Sequence, residues 1–143
     1  MRIKLTSQKG AALVEFALIL IPLLILTFGL IEFGLLMYNQ QVITNAVREG
    51  ARYGIVMTDA AHPITQAMVE QKVRDYASSH LVTFSTVTTN PIPNADRECG
   101  PGTFGSSLTV SVTYDYTFLV ASIFMPGLGA TKELASQAVM RCE

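Results

Sequence analysis

The chain has 143 residues and a formal net charge of −1, which leaves room for one membrane anchor and one small domain of about 90 residues. Three of its ten basic residues, Arg2, Lys4 and Lys9, precede Gly10, and all eleven acids follow it, so a product starting at Ala11 would carry a net −4. That balance offers no basic face for nucleic acid.

Residues 1–10 are short, polar and basic, and read as a leader peptide. From residue 11 to residue 38 almost everything is apolar, and residues 16–31 carry no charge. A membrane-spanning helix needs about 20 mainly apolar residues, and residues 11–31 supply them if Glu15 is accommodated. A secretory signal peptide has a shorter apolar core, about 7–15 residues, that ends in a small-x-small cleavage site. Here the run continues through Leu35, Leu36 and Met37 to Tyr38 and Asn39 with no such site. A buried core helix would need a domain able to wrap around it, and the rest of the chain is too small. Basic residues flanking a span stay in the cytoplasm, which puts the N-terminus inside and the C-terminal domain outside. Pro22 removes a backbone donor within the run and is expected to bend it. Glu32 reads as an acid at the outer boundary, facing headgroups.

Glu15 is harder to place, because a carboxylate at the start of a lipid-facing helix is costly. It can sit at the inner interface beside Lys9. Alternatively, a cut after Gly10 frees the amine of Ala11, and this ammonium meets Glu15 of a neighbouring subunit. Both costly charges are then neutralised where the dielectric is low.

The helical pattern does not stop at the membrane. Val42, Ile43, Ala46, Val47, Gly50 and Tyr53 form one stripe, with Gln40, Gln41, Asn45, Arg48, Glu49 and Arg52 mostly off it. One continuous helix is expected from about residue 12 to about residue 56, on the order of 65 Å long. Three patches along it, Gly10-Ala11-Ala12-Leu13-Val14-Glu15-Phe16-Ala17-Leu18, Ile31-Glu32-Phe33-Gly34 and Thr44-Asn45-Ala46-Val47-Arg48-Glu49-Gly50-Ala51-Arg52-Tyr53, closely resemble the TadE-like proteins. These are minor pilin-like subunits, or pseudopilins, of tight-adherence (Flp) type IV pilus systems. The resemblance covers residues 10–53 and implies several further things. A prepilin peptidase would cut between Gly10 and Ala11 at the cytoplasmic face of a bacterial inner membrane. Glu15 would serve assembly. Other pilin-like subunits, the pilus assembly machinery and membrane lipid would be the partners.

Residues 58–143 are expected to form the extracytoplasmic domain, and residues 11–57 the spanning and extended helix. After Pro63, the residues Ile64, Ala67, Met68, Gln71, Val73 and Tyr76 suggest a helix ending near Ser78. Residues 81–88 are rich in Val and Thr and read as a strand. Leu108, Val110, Val112, Tyr114 and Tyr116 alternate strictly with polar residues, a half-buried strand. Residues 134–141 fit a third strand, and their length also fits a helix. Residues 90–106, rich in Pro, Gly and Asn, read as an irregular loop. Residues 118–128 are apolar, broken by Pro126 and Gly127, and read either as a short helix or turn under the sheet or as a patch facing the membrane. The fold class is α+β: a long N-terminal helix running into a small antiparallel sheet, in a pilin-like layout.

Cys99 and Cys142 both fall outside the membrane, where an oxidising compartment lets them pair. The bond would close a loop of about 40 residues, worth about 3–4 kcal/mol in the chain-entropy view. His62 and His80 stand apart, with no metal-ligand spacing. Asp96, Glu98 and Cys99 crowd one loop without making a convincing ion site. No nucleophile–base order or phosphate loop occurs, so neither an enzyme nor a cofactor is expected. An unprocessed single-span protein with an outer binding domain is the alternative reading. It keeps residues 1–10 attached and stays monomeric.

Overall fold

The computed structural model describes residues 8–56, 63–83, 90–100, 102–120, 127 and 130–143. Helix α1 runs unbroken over Gln8–Gly54, 47 residues, and passes through Pro22 without interruption. At 1.5 Å per residue it is about 70 Å long. Helix α2 spans Gln66–His80 and is capped by Thr65, which is extended and whose side-chain oxygen accepts from the Met68 amide. Three strands follow, β1 (Ile92–Ala95), β2 (Ser107–Thr117) and β3 (Thr131–Arg141). They form one antiparallel sheet in the order β1-β2-β3. The β2–β3 pairing is unbroken from Ser107↔Arg141 to Thr117↔Thr131. The architecture is therefore α+β, with a long helix, a short helix and a small antiparallel sheet.

The two halves of α1 live in different surroundings. Its apolar N-terminal stretch is bare: Leu13, Phe16, Leu18, Ile19 and Leu26 are all largely exposed. Its C-terminal stretch is core. Ile43, Ala46, Val47 and Ala51 are fully buried with Val69, Val73 and Ala77 of α2 and Leu108, Val110 and Val112 of β2. The alternation along β2 does what period-two patterning dictates, turning Leu108, Val110, Val112, Tyr114 and Tyr116 inward.

Close packing between the helices depends on two glycines one turn apart. A Cβ on Gly50 would lie 2.2 Å from Val73 Cγ2, and one on Gly54 would lie 2.6 Å from Leu108 Cδ2. No side chain larger than hydrogen fits at this crossing.

Two local expectations change. The buried face of α2 is Val69, Val73 and Ala77, whereas Ala67, Met68 and Gln71 are exposed. The buried face is the one whose Val69 and Val73 pack against Gly50 and Gly54 of α1. Within residues 90–106, Ile92–Ala95 form a strand despite Pro93. Proline is tolerated because, among the described residues, β1 lies at the edge of the sheet and pairs with β2 alone. Residues 81–83 carry no regular structure, and the rest of the expected 81–88 strand lies outside the described residues. So does most of the apolar 118–128 stretch, and so does His62.

Candidate functional site

The N-terminal junction lies inside α1. The helix begins at Gln8, so the Gly10–Ala11 bond of this uncut chain is helical. Gly10, Ala11 and Glu15 are all exposed, and a Cβ on Gly10 would meet nothing within 4 Å. Ala11 and Glu15 are one helical turn apart on a bare apolar rod. Among the described residues, Glu15 makes no hydrogen bond or ion pair. The junction is thus an open surface rather than a pocket. Among the described residues, one helix is long and apolar enough to cross a membrane, and its apolar window is wholly exposed. The domain core is built on the C-terminal half of this helix and leaves that window unburied, which is consistent with a membrane-anchored protein.

Glu32 departs from its expected place. It is only 5% exposed, and its carboxylate accepts from the backbone amides of Leu119 and Val120, the latter at 3.3 Å to each oxygen. The acid is turned into the protein. It fastens the chain leaving β2 to the side of α1. Around it, Phe28, Ile31 and Leu35 of α1 face Tyr116 and Leu119 across an open apolar hollow of about 180 Å³. Tyr116 is buried at this seam and meets Phe118 edge to face, with ring centroids 5.5 Å apart. Burial, first, then the Glu32 charge and Tyr114 push the Tyr116 phenol above its ordinary value near 10, so it stays protonated.

Two turns further along, Asn39 is fully buried. Its amide nitrogen donates to the Val82 carbonyl at 2.7 Å, and its oxygen accepts from the Val82 amide at 3.0 Å. The side chain meets both backbone groups of one residue, as a neighbouring strand would. Neither the burial of Asn39 nor that of Glu32 is what the sequence suggests, although a signal is there. Glu32, Asn39 and Ala46 are spaced by sevens, so both polar residues lie on the stripe that is buried further on.

At the far end, Cys99 and Cys142 are joined in a disulfide with their Cα atoms 5.5 Å apart. The chain end is held by backbone as well. Cys142 exchanges hydrogen bonds with the 105–106 segment, and the Glu143 amide donates to the Ile55 carbonyl at 3.2 Å. The loop between turns at Gly102 and Gly105, both with positive φ. The neighbouring acids are occupied with amides. Asp96 accepts from Thr109 at 2.8 Å, and Glu98 accepts from Gln66 at the start of α2 at 3.1 Å. Among the described residues, no group of three metal-ligating side chains converges. His80, at the end of α2, stacks on Tyr76 with ring centroids 4.5 Å apart.

A model of the family described as TadE-like protein matches residues 10–52. The match covers nearly all of α1, from the junction through the apolar span to the glycine crossing, and less than half of the chain. The N-terminal part of the protein is therefore TadE-like, in line with the three sequence patches. This suggests a protein associated with a tight-adherence pilus. No curated protein and no solved structure matches the chain.

Proposed function

We propose that the protein is a membrane-anchored minor pilin or pseudopilin that takes part in assembling a tight-adherence pilus. The observation that carries this reading is the TadE-like match, which starts at Gly10 and runs through the whole apolar span. In this reading a prepilin peptidase cuts after Gly10 at the cytoplasmic face of the bacterial inner membrane. The sheet domain stands on the outer side. The freed ammonium of Ala11 pairs with Glu15 of an adjacent pilin-like subunit. The exposure of Glu15, and its lack of a partner within the described residues, support an intermolecular role. Such a pair, held in a low-dielectric layer, supplies both attraction and register between subunits.

Mass spectrometry of the protein extracted from membranes of a host with its prepilin peptidase tests the cut. An N-terminus at Ala11 is expected. Retention of residues 1–10 would instead favour the unprocessed binding module. Glu15→Leu is expected to abolish pilus assembly while leaving the protein in the membrane. Normal piliation by that variant would remove Glu15 from the mechanism.

A further inference from the structure

The amides of Leu119 and Val120 end on a side chain of the anchor helix, not on a neighbouring strand. Where along the helix this happens is informative. A hydrocarbon layer about 30 Å thick takes up about 20 helical residues. If the layer begins at Ala11, just past Lys9, it ends near Ile31. Glu32 therefore sits at the outer boundary of the layer, and Val120 lies further in. Val120 lines an apolar hollow with Ile21, Leu24, Ile25 and Phe28, one to three turns on the lipid side of Glu32. Leu119 beside it is 54% exposed, as are much of Phe28 and Ile31.

We propose that the chain leaving β2 is a second membrane-contacting element, with Leu119 and Val120 resting among lipid acyl chains in the outer leaflet against α1. The inference rests on the membrane-anchor reading, and lipid is chosen because this surface continues the bare apolar face of the span without a break. Glu32 is what makes the position tenable. Irregular backbone at membrane depth must have its amides satisfied by protein, because lipid offers no acceptor. Glu32 supplies that acceptor to two successive amides. The same contact gives a carboxylate at the membrane edge the donors it requires. The arrangement fixes the sheet to the bilayer at a second point, so the domain cannot swing freely about the helix.

The test uses the full chain in phosphatidylcholine–phosphatidylglycerol nanodiscs, with a dye on a single added cysteine and the native pair left oxidised. Leu119→Cys, Ile31→Cys, Leu18→Cys and Phe104→Cys are compared, using acyl-chain-brominated lipid and aqueous iodide as quenchers. A dye at 119 is expected to lose fluorescence to brominated lipid as fully as one at 31, while one at 104 responds to iodide. Quenching at 18 and 31 but not at 119 would overturn the proposal and leave the anchor standing. No lipid quenching at 18 would overturn the anchor, and the proposal with it. In Glu32→Leu, exchange of the 119 and 120 amides is expected to quicken by about tenfold or more, with the dye at 119 shifting toward iodide. Unchanged exchange and quenching would remove Glu32 from the account.

Discussion

Asn39 has no water to fall back on, and it satisfies both the amide and the carbonyl of Val82. Removing its side chain strands two backbone groups at once. Asn39→Ala is therefore expected to destabilise the sheet domain by about 2–4 kcal/mol, more than a surface hydrogen bond is worth. Urea unfolding in detergent micelles, followed by circular dichroism, measures the loss. The acids tell a related story. Glu32, Glu70, Asp96 and Glu98 each accept from a backbone amide of a different segment. Among the described residues, these four carboxylates join separate segments of the chain through backbone amides. Tyr116 adds a pH dependence. Its phenol is raised in the folded state, so the unfolded chain ionises first, near pH 10. The stability this group protects is complete below that pH and is lost as pH climbs toward the folded value. Tyr116→Phe should therefore decline less steeply than the parent between about pH 9 and about pH 11, measured as the shift in urea midpoint.

At the scale of elements, α1 is one helix with two environments, and its seven-residue spacing carries across the change. Glu32, Asn39 and Ala46 lie on one line, and the sheet domain is packed along that line. The crossing with α2 is set by Gly50, because the facing Val73 is β-branched and has little freedom to move aside. Gly50→Ala gains about 1 kcal/mol of helix propensity but must displace Val73. A net loss of about 1–2 kcal/mol is expected, recovered in part when Val73→Ala is added. Thermal melting of the single and double variants distinguishes a steric cause from a propensity effect. The sheet edges are tended by the helices. Glu70 of α2 accepts from Ala95 in β1, and Gln40 of α1 donates to the Ala135 carbonyl in β3. Such contacts limit the pairing of strand edges with other chains.

For the whole molecule, the disulfide, the 105–106 backbone contacts and the Glu143–Ile55 hydrogen bond gather the chain end, the 99–106 loop and the end of α1 at one place. The bonded cysteines are 43 residues apart. Replacing both with serine is expected to cost about 3–4 kcal/mol, read as a lower midpoint in urea. At the other end, Glu32 holds the chain leaving β2 to the helix. The domain is thus fastened to one rod at both ends, so its orientation relative to the span is fixed by the rod.

Local pattern was enough to read the long helix, the alternating strand at residues 107–117 and the TadE-like character of residues 10–52. Each depends on a period or a motif within a few turns of chain, and burial of one face enforces it. Tertiary structure alone decided the rest. Pro93 lies in a strand because, among the described residues, that strand is at an edge, and Val69 and Val73 of α2 pack closely on α1 because two glycines there admit them. Glu32 and Asn39 are buried because amides distant in sequence arrive to satisfy them, at Leu119, Val120 and Val82. A polar residue's partner is a long-range contact, and no local period encodes it. The sequence by itself determined the rod and its apolar span; the meeting of separate segments determined which of its polar residues are tied down.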